Sequence, residues 1–266
     1  MKKILLSLLF FFSLTISDAQ KTDSLIVGKN AKMENPNYSI SEALMKMNNK
    51  KQAIKSLIVP SIFITYGAIS LANDCLKKIN ENIKEEIWLD HPHKLTHIDN
   101  YMMVAPALSV YFLNVVGIPG KNNFRDKSMV YLLSNLILSA IIFPVKKITH
   151  QLRPDSSSYT SFPSGHTTEA FACAEFMRME YKDFSPWYAM AGYAMAVTTG
   201  YLRMYNNQHW LSDIISGAGI GILSTKLAYW LYPKIKNKFF KDKPSRTIIL
   251  PVYKDGFFLI GIVYKL

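Results

Sequence analysis

The sequence predicts an all-α protein: a membrane-associated bundle of six helices, followed by a short C-terminal β-hairpin. Three observations predict it. Apolar segments of helical length succeed one another between residues 56 and 232, and polar, charged connections such as Asp74 to Asn100 separate the first of them. The chain then changes character at a basic stretch, Pro233 to Arg246. Two β-rich runs close it, joined through Lys254-Asp255-Gly256.

The elements follow in order. Met1-Lys2-Lys3, an apolar stretch from Ile4 to Ile16 and the small residues around Ala19 have the three parts of a secretory signal, so residues 1–19 are expected to direct export. Residues 20–55 form an exported N-terminal segment. Segments 56–73, 101–118 and 128–145 are each about long enough to cross a bilayer. Helix 166–181 carries Glu169, Glu175, Arg178 and Glu180, which makes it a poor lipid-exposed span. Helices 186–202 and 209–232 are more apolar, and Gly192, Gly217, Gly219 and Gly221 allow close approach to neighbours. In the runs Thr247 to Tyr253 and Phe257 to Leu266, Asp-Gly is the hairpin signal.

Chemistry concentrates in three short stretches. His209 and Asp213 stand at i and i+4, so on a helix beginning near His209 they share one face. A carboxylate on one imidazole nitrogen fixes the tautomer and leaves the other nitrogen free to attack phosphorus. Taken alone, a helix-start histidine with an acid four residues on is unremarkable. Pro163-Ser164-Gly165-His166 adds a turn running into a helix, where the amides near Ser164, Gly165 and His166 point into an anion site and His166 is placed as a general acid. Lys146 and Arg153, seven residues apart, and Arg203 complete a set of three cations. Such a set suits the spread negative charge of a transferring phosphoryl group. Lys147 and His150 read as the basic flank of a membrane helix.

Together the stretches resemble the type 2 phosphatidic acid phosphatase superfamily, whose signature is K-x6-RP, PSGH and SR-x5-H-x3-D. Lys146, Arg153 and Pro154 match the first part, Pro163 to His166 the second, and Arg203, His209 and Asp213 the third. One position departs: Leu202 stands where the family has Ser. The resemblance is strongest over 128–232 and implies a six-helix bundle of the type 2 phosphatidic acid phosphatase kind across 56–232, with motifs at 146–213; the flanks, including the basic linker and hairpin at 233–266, carry no motif of the family. It also implies metal- and cofactor-independent hydrolysis through a phosphohistidine. His209 would be the nucleophile, Asp213 its orienter and His166 acid and then base, while Lys146, Arg153, Ser164, the Gly165 amide and Arg203 hold phosphate. The expected substrate is a phosphomonoester or pyrophosphate of an envelope lipid such as a phosphatidate, an isoprenyl pyrophosphate or a lipid A phosphate. A soluble periplasmic acid phosphatase and a vanadium-dependent haloperoxidase use the same cradle.

Charge and topology bear on location. The formal net charge is +12, and much of the excess lies in Pro233 to Arg246, which suits anionic headgroups. No nucleic-acid signature accompanies it. If Lys2 and Lys3 stay inside, three full crossings before Lys146 return the site to the cytoplasm, in conflict with export. Either the early helices do not all span, or residues 1–19 are not a signal and the chain is a six-span membrane enzyme starting inside; the reading adopted is an envelope protein with a periplasm-facing site. Cys75 and Cys173 are read as separate core or membrane-facing residues, and His91, His93 and His97 as surface or interfacial histidines without a matched metal-ligand set.

Overall fold

The computed structural model describes residues 54–91 and 93–239, together with the strands 247–254 and 257–264. The signal reading over 1–19 and the segment 20–53 lie outside the described residues. Two units divide the chain at Ala228/Tyr229. The first holds the helices that carry all three motifs.

Helix α1 spans Ile58–Ser70 and α2 Asp74–Lys84. Asn73 caps α2 by accepting from the Leu76 amide at 3.0 Å, and the axes of α1 and the α2 segment differ by 94°. A π-helical turn, Glu85–Leu89, extends α2 and buries Ile87 against Met204 and Ile214. After a stretch without regular structure come the short α3, Asp99–Met102, and α4, Ala105–Val115. Helix α5, Phe124–Thr149, is the longest of the first five, capped by Asn123 and ended by His150 in a left-handed conformation at φ 45°.

Helix α6, Gly165–Tyr181, is the centre of the bundle, with 12 of its 17 residues buried. It packs on α7, Pro186–Tyr205, and on α8, Leu211–Phe239. Two glycines of α8 set these distances. A Cβ on Gly221 would collide with the Thr168 carbonyl oxygen of α6, and one on Gly219 would stand 2.6 Å from the Pro60 carbonyl oxygen of α1. Only glycine lets the backbones approach so closely. Ala170, Ala174, Ala196 and Ala218 fill the seams with Phe171, Tyr193 and Ile222.

The second unit takes the end of α8 and two antiparallel strands, β1 Thr247–Lys254 and β2 Phe257–Tyr264, with Thr247 opposite Tyr264 and Lys254 opposite Phe257. Asp255-Gly256 itself lies outside the described residues.

The described residues hold eight α-helices rather than six. The two extra ones, α2 and α3, fall in or at the end of Asp74 to Asn100, which reads as a connection because of its charge. Its apolar residues are spaced for one helix face, and the buried Asn80 lies on that face. The first two apolar runs are also cut shorter than expected. At 13 and 11 residues, α1 and α4 reach only about 20 and 16 Å against a hydrocarbon core of about 30 Å. By length and composition, two helices can cross a membrane, Phe124–Thr149 and Leu211–Lys238, or three if α1 and the bent α2 segment make one span. Helix α5 presents Leu132, Leu136 and Phe143 outward, as a lipid-facing helix does. The acids of α6 turn inward: Glu175 and Glu180 are buried and paired. Both cysteines are free, Cys75 exposed and Cys173 buried.

Candidate active site

The loop from α5 to α6, the first turn of α6 and the corner between α7 and α8 meet at one end of the bundle. Helix α8 starts at Leu211, so His209 stands in the preceding turn and only Asp213 lies in the helix. The pair is nevertheless joined, with His209 Nδ1 3.4 Å from Asp213 Oδ2. The same oxygen accepts from the Trp210 amide at 3.0 Å and from Ser161 Oγ at 2.5 Å. A carboxylate facing Nδ1 requires the proton there, so Nε2 carries the lone pair. His209 is buried, at 3% exposure.

Ser164 caps α6, receiving the Thr167 amide at 3.4 Å, while its own amide donates to the Asp213 carbonyl at 3.2 Å. This bond ties the turn at the start of α6 directly to the first turn of α8. The amides of the first turn have no intrahelical acceptor. A Cβ added to Gly165 would meet nothing within 4 Å, so the backbone there borders open space of the kind an anion needs.

The loop 150–164 is braced at several points. Ser161 donates its amide to the Gln151 carbonyl, and Arg153 closes a turn with Ser156 and Ser158. Trp210 Nε1 holds the Leu152 carbonyl at 2.9 Å, and Lys84 of α2 holds the Pro154 carbonyl at 2.9 Å. Asn80 of α2 binds Ser212 twice, through its amide nitrogen and its oxygen, and so fixes the start of α8. Lys146 donates to the Thr160 carbonyl at 2.5 Å. Arg153 Nε and Arg203 Nε are buried donors without a partner among the described residues. Donors left bare beside an open helix N-terminus fit an anion of several oxygens.

Three residues of this site carry no sequence motif. Asp99 of α3, 1% exposed, accepts from Arg203 Nη1 at 2.6 Å and supplies its counter-charge. Asn100, the next residue, places its amide oxygen 2.8 Å from His166 Nε2. Ser161 bridges to Asp213 as described. The one available signal for Asp99 was indirect: an arginine at the end of an apolar helix calls for a buried acid. His93, read as a bystander, bonds the Tyr205 carbonyl at 2.7 Å and stacks on the Tyr205 ring, which secures the end of α7 just after Arg203.

Both histidines lie outside the two long apolar helices, and both are shifted in the same direction. Burial, and then the positive charge of Arg203, push His166 down to about 4, although Asp99 opposes them. Burial pushes His209 down to about 4 as well, outweighing its bond to Asp213. At neutral pH both rings are uncharged. His166 also feels the charges of His209 and Arg153, and His209 those of Arg203 and Lys146, so the predicted residues share one field.

Residues 127–237 match the family profile described as "PAP2 superfamily". The chain is 30% identical over 258 residues to the lipid A 1-phosphatase of Porphyromonas gingivalis, an alignment covering 95% of this chain and 54% of the relative. The chain thus spans about half the length of that curated relative. Among solved structures, Aquifex aeolicus LpxE aligns at TM-score 0.43 and 19% identity over 57% of this chain and 95% of its own. A transmembrane PAP2-type phosphatidylglycerolphosphate phosphatase from Bacillus subtilis aligns at TM-score 0.46 and 20% identity, over 67% of this chain and 98% of its own.

Proposed function

We propose that the chain, whose residues 127–237 match the PAP2 superfamily, is a metal-independent phosphatase that acts on a phosphorylated envelope lipid through a phosphohistidine. The observation that carries the reading is the pairing of His209 Nδ1 with Asp213, which leaves Nε2 as a neutral nucleophile in a site whose Arg153 Nε and Arg203 Nε have no partner among the described residues. Nε2 forms a bond to phosphorus while the bond from phosphorus to the leaving oxygen breaks and His166 gives that oxygen a proton. A water then attacks phosphorus and loses its proton to His166, the N–P bond breaks and inorganic phosphate departs. Lys146, Arg153, Arg203, Ser164 and the Gly165 amide hold the nonbridging oxygens. Three fixed cations supply the charge that a divalent ion provides in other phosphatases. His166 is uncharged in the empty site, and the dianionic substrate raises its proton affinity as it binds.

The lipid assignment rests on the rim and on the relative. Ile98 and Tyr101 are exposed on either side of Asn100, which touches His166, and exposed Leu152 and Tyr159 flank the Arg153 turn. Apolar groups around a phosphate cradle suit a headgroup with acyl or isoprenyl chains. The relative whose name specifies lipid A 1-phosphate matches 95% of this chain. An outward-facing site agrees with the signal reading when α1 and the bent α2 segment cross as one span, since that crossing and α5 make two, an even number, before Lys146.

The test is rapid acid-free quenching of detergent-solubilised protein with a radiolabelled lipid phosphate. The expected result is a protein-bound label that is stable in base and labile in acid, lost in His209→Ala, with turnover unaffected by EDTA. Label surviving in His209→Ala, or turnover restored only by magnesium, defeats the mechanism. Faster hydrolysis of soluble esters than of any lipid defeats the lipid assignment alone.

A further inference from the structure

The two histidines of the site have different partners. His209 faces a carboxylate, whereas His166 Nε2 lies 2.8 Å from the amide oxygen of Asn100. An amide oxygen only accepts, so the ring donates Nε2–H there and Nδ1 is left to exchange the proton with substrate. Asn100 is held for this task by its neighbour, since Asp99 is buried and bound to Arg203 at 2.6 Å. Two consecutive residues of α3 thereby grip one group from α7 and one from α6.

We propose that Asn100 is a positioning residue for His166, fixing the ring through Nε2–H so that Nδ1 is the nitrogen that delivers and retrieves the proton at the leaving oxygen. The inference rests on the phosphatase reading above and adds a residue and a nitrogen to it. The identity of the partner matters chemically. A carboxylate stabilises the imidazolium strongly and makes a better base; a neutral amide orients the ring and leaves it the stronger acid. The site thus assigns nucleophile and acid by giving one histidine Asp213 and the other Asn100.

The experiment has two arms. The first reads the ring directly: nitrogen chemical shifts of histidine-labelled protein in detergent, with His166→Gln used to assign the resonance. The Nε2–H form of His166 is expected in the wild type, with a mixture of tautomers in Asn100→Ala. A dominant Nδ1–H form in the wild type overturns the proposal whether or not the protein turns over any ester. The second arm is kinetic. Asn100→Ala should lower kcat for a lipid or alkyl phosphate about 10-fold, with KM little changed and a smaller loss on an aryl phosphate, as removal of an orienting partner does. In a His166→Ala background the same change should cost nothing further. Asn100→Asp should move the basic limb of the kcat–pH profile upward by about one unit, because a carboxylate stabilises the protonated ring. Equal losses in both backgrounds, or an unmoved pH limb, overturn the proposal. An inactive wild type would instead count against the phosphatase reading, with the nitrogen shifts still deciding the role of Asn100.

Discussion

The two ends of α6 bury charge in opposite ways. Toward its C-terminus, Glu175 is fully buried and accepts from Arg178 Nε at 2.7 Å, Arg178 Nη2 at 2.6 Å and the Tyr193 hydroxyl at 2.5 Å, with Lys226 at 3.9 Å. One turn on, Glu180 takes the backbone and side-chain nitrogens of Asn122 and lies 3.9 Å from Lys127, which also bonds Asn114. At the N-terminus, Arg153 Nε, Arg203 Nε, Asp99 Oδ1 and Asp213 Oδ1 are buried without partners among the described residues. Burial is similar at the two ends. The difference is saturation: the C-terminal clusters satisfy their own carboxylates, while the N-terminal one leaves two arginine donors and two carboxylate oxygens unpaired among the described residues. A saturated cluster holds helices together, and an unsaturated one is shaped to something that is not part of the chain.

The comparison breaks most visibly if Glu175 is removed. Glu175→Ala leaves the partly buried Arg178 and Lys226 without their shared carboxylate, which costs toward the lower end of about 3–5 kcal/mol. Thermal unfolding in detergent should show a large loss, while the fraction that remains folded keeps its turnover. Glu175→Gln retains the shape and the tyrosine bond and should lose less. A variant with normal stability and lost turnover would place Glu175 in the reaction and erase the distinction between the two ends.

The sequence made the reactive end legible because its groups lie on short segments whose spacing is itself the chemistry. His209 and Asp213 are four residues apart, and Ser164 to His166 form one turn, so local geometry nearly settles their relation. What escaped came from elsewhere. Asp99 and Asn100 lie more than sixty residues from His166 and more than a hundred from Arg203, on a four-residue helix with no periodicity to mark it. Ser161 was visible only as part of a turn, although its hydroxyl reaches Asp213. Helix α2 was hidden by its charge, which suits a surface helix as well as a connection; its role shows in Asn80, buried against Ser212, and in Lys84, bound to the Pro154 carbonyl. Run lengths were also misleading, because apolar composition continues through the breaks that end α1 and α4.

A smaller effect sharpens the picture of the reactive end. Asp99→Asn removes the charge opposite Arg203 but keeps an acceptor of the same shape. A hydrogen bond to a charged group is worth about 1.5–3 kcal/mol, so kcat/KM should fall roughly 10- to 100-fold. The loss should be shared by aryl and lipid phosphates, since in the proposed mechanism Arg203 holds the phosphoryl group and not the leaving group. A loss confined to poor leaving groups would mean that Asp99 acts through His166 instead.

The smallest effect concerns pH, and its direction follows from the burial of the two rings. An exposed histidine protonates near 6.5, and a nucleophile of that kind would fade as pH falls below neutrality. Burial lowers His209 to about 4 despite Asp213, so the free protein keeps Nε2 unprotonated through mildly acidic conditions. The acid limb of kcat/KM, which reports the free protein, should accordingly lie near pH 4 to 5. Stability obeys the same sign. A histidine depressed in the folded state contributes its full stability above about 6.5 and loses it as pH falls toward 4, because unfolding then takes up a proton that the folded ring refuses. His209→Gln, which cannot titrate, should flatten part of that slope in thermal unfolding between pH 6.5 and 4. A kcat/KM limb at 6.5 in the wild type would mean that solvent reaches His209, and the contrast between a closed, unsatisfied cradle and the saturated C-terminal clusters would lose its basis.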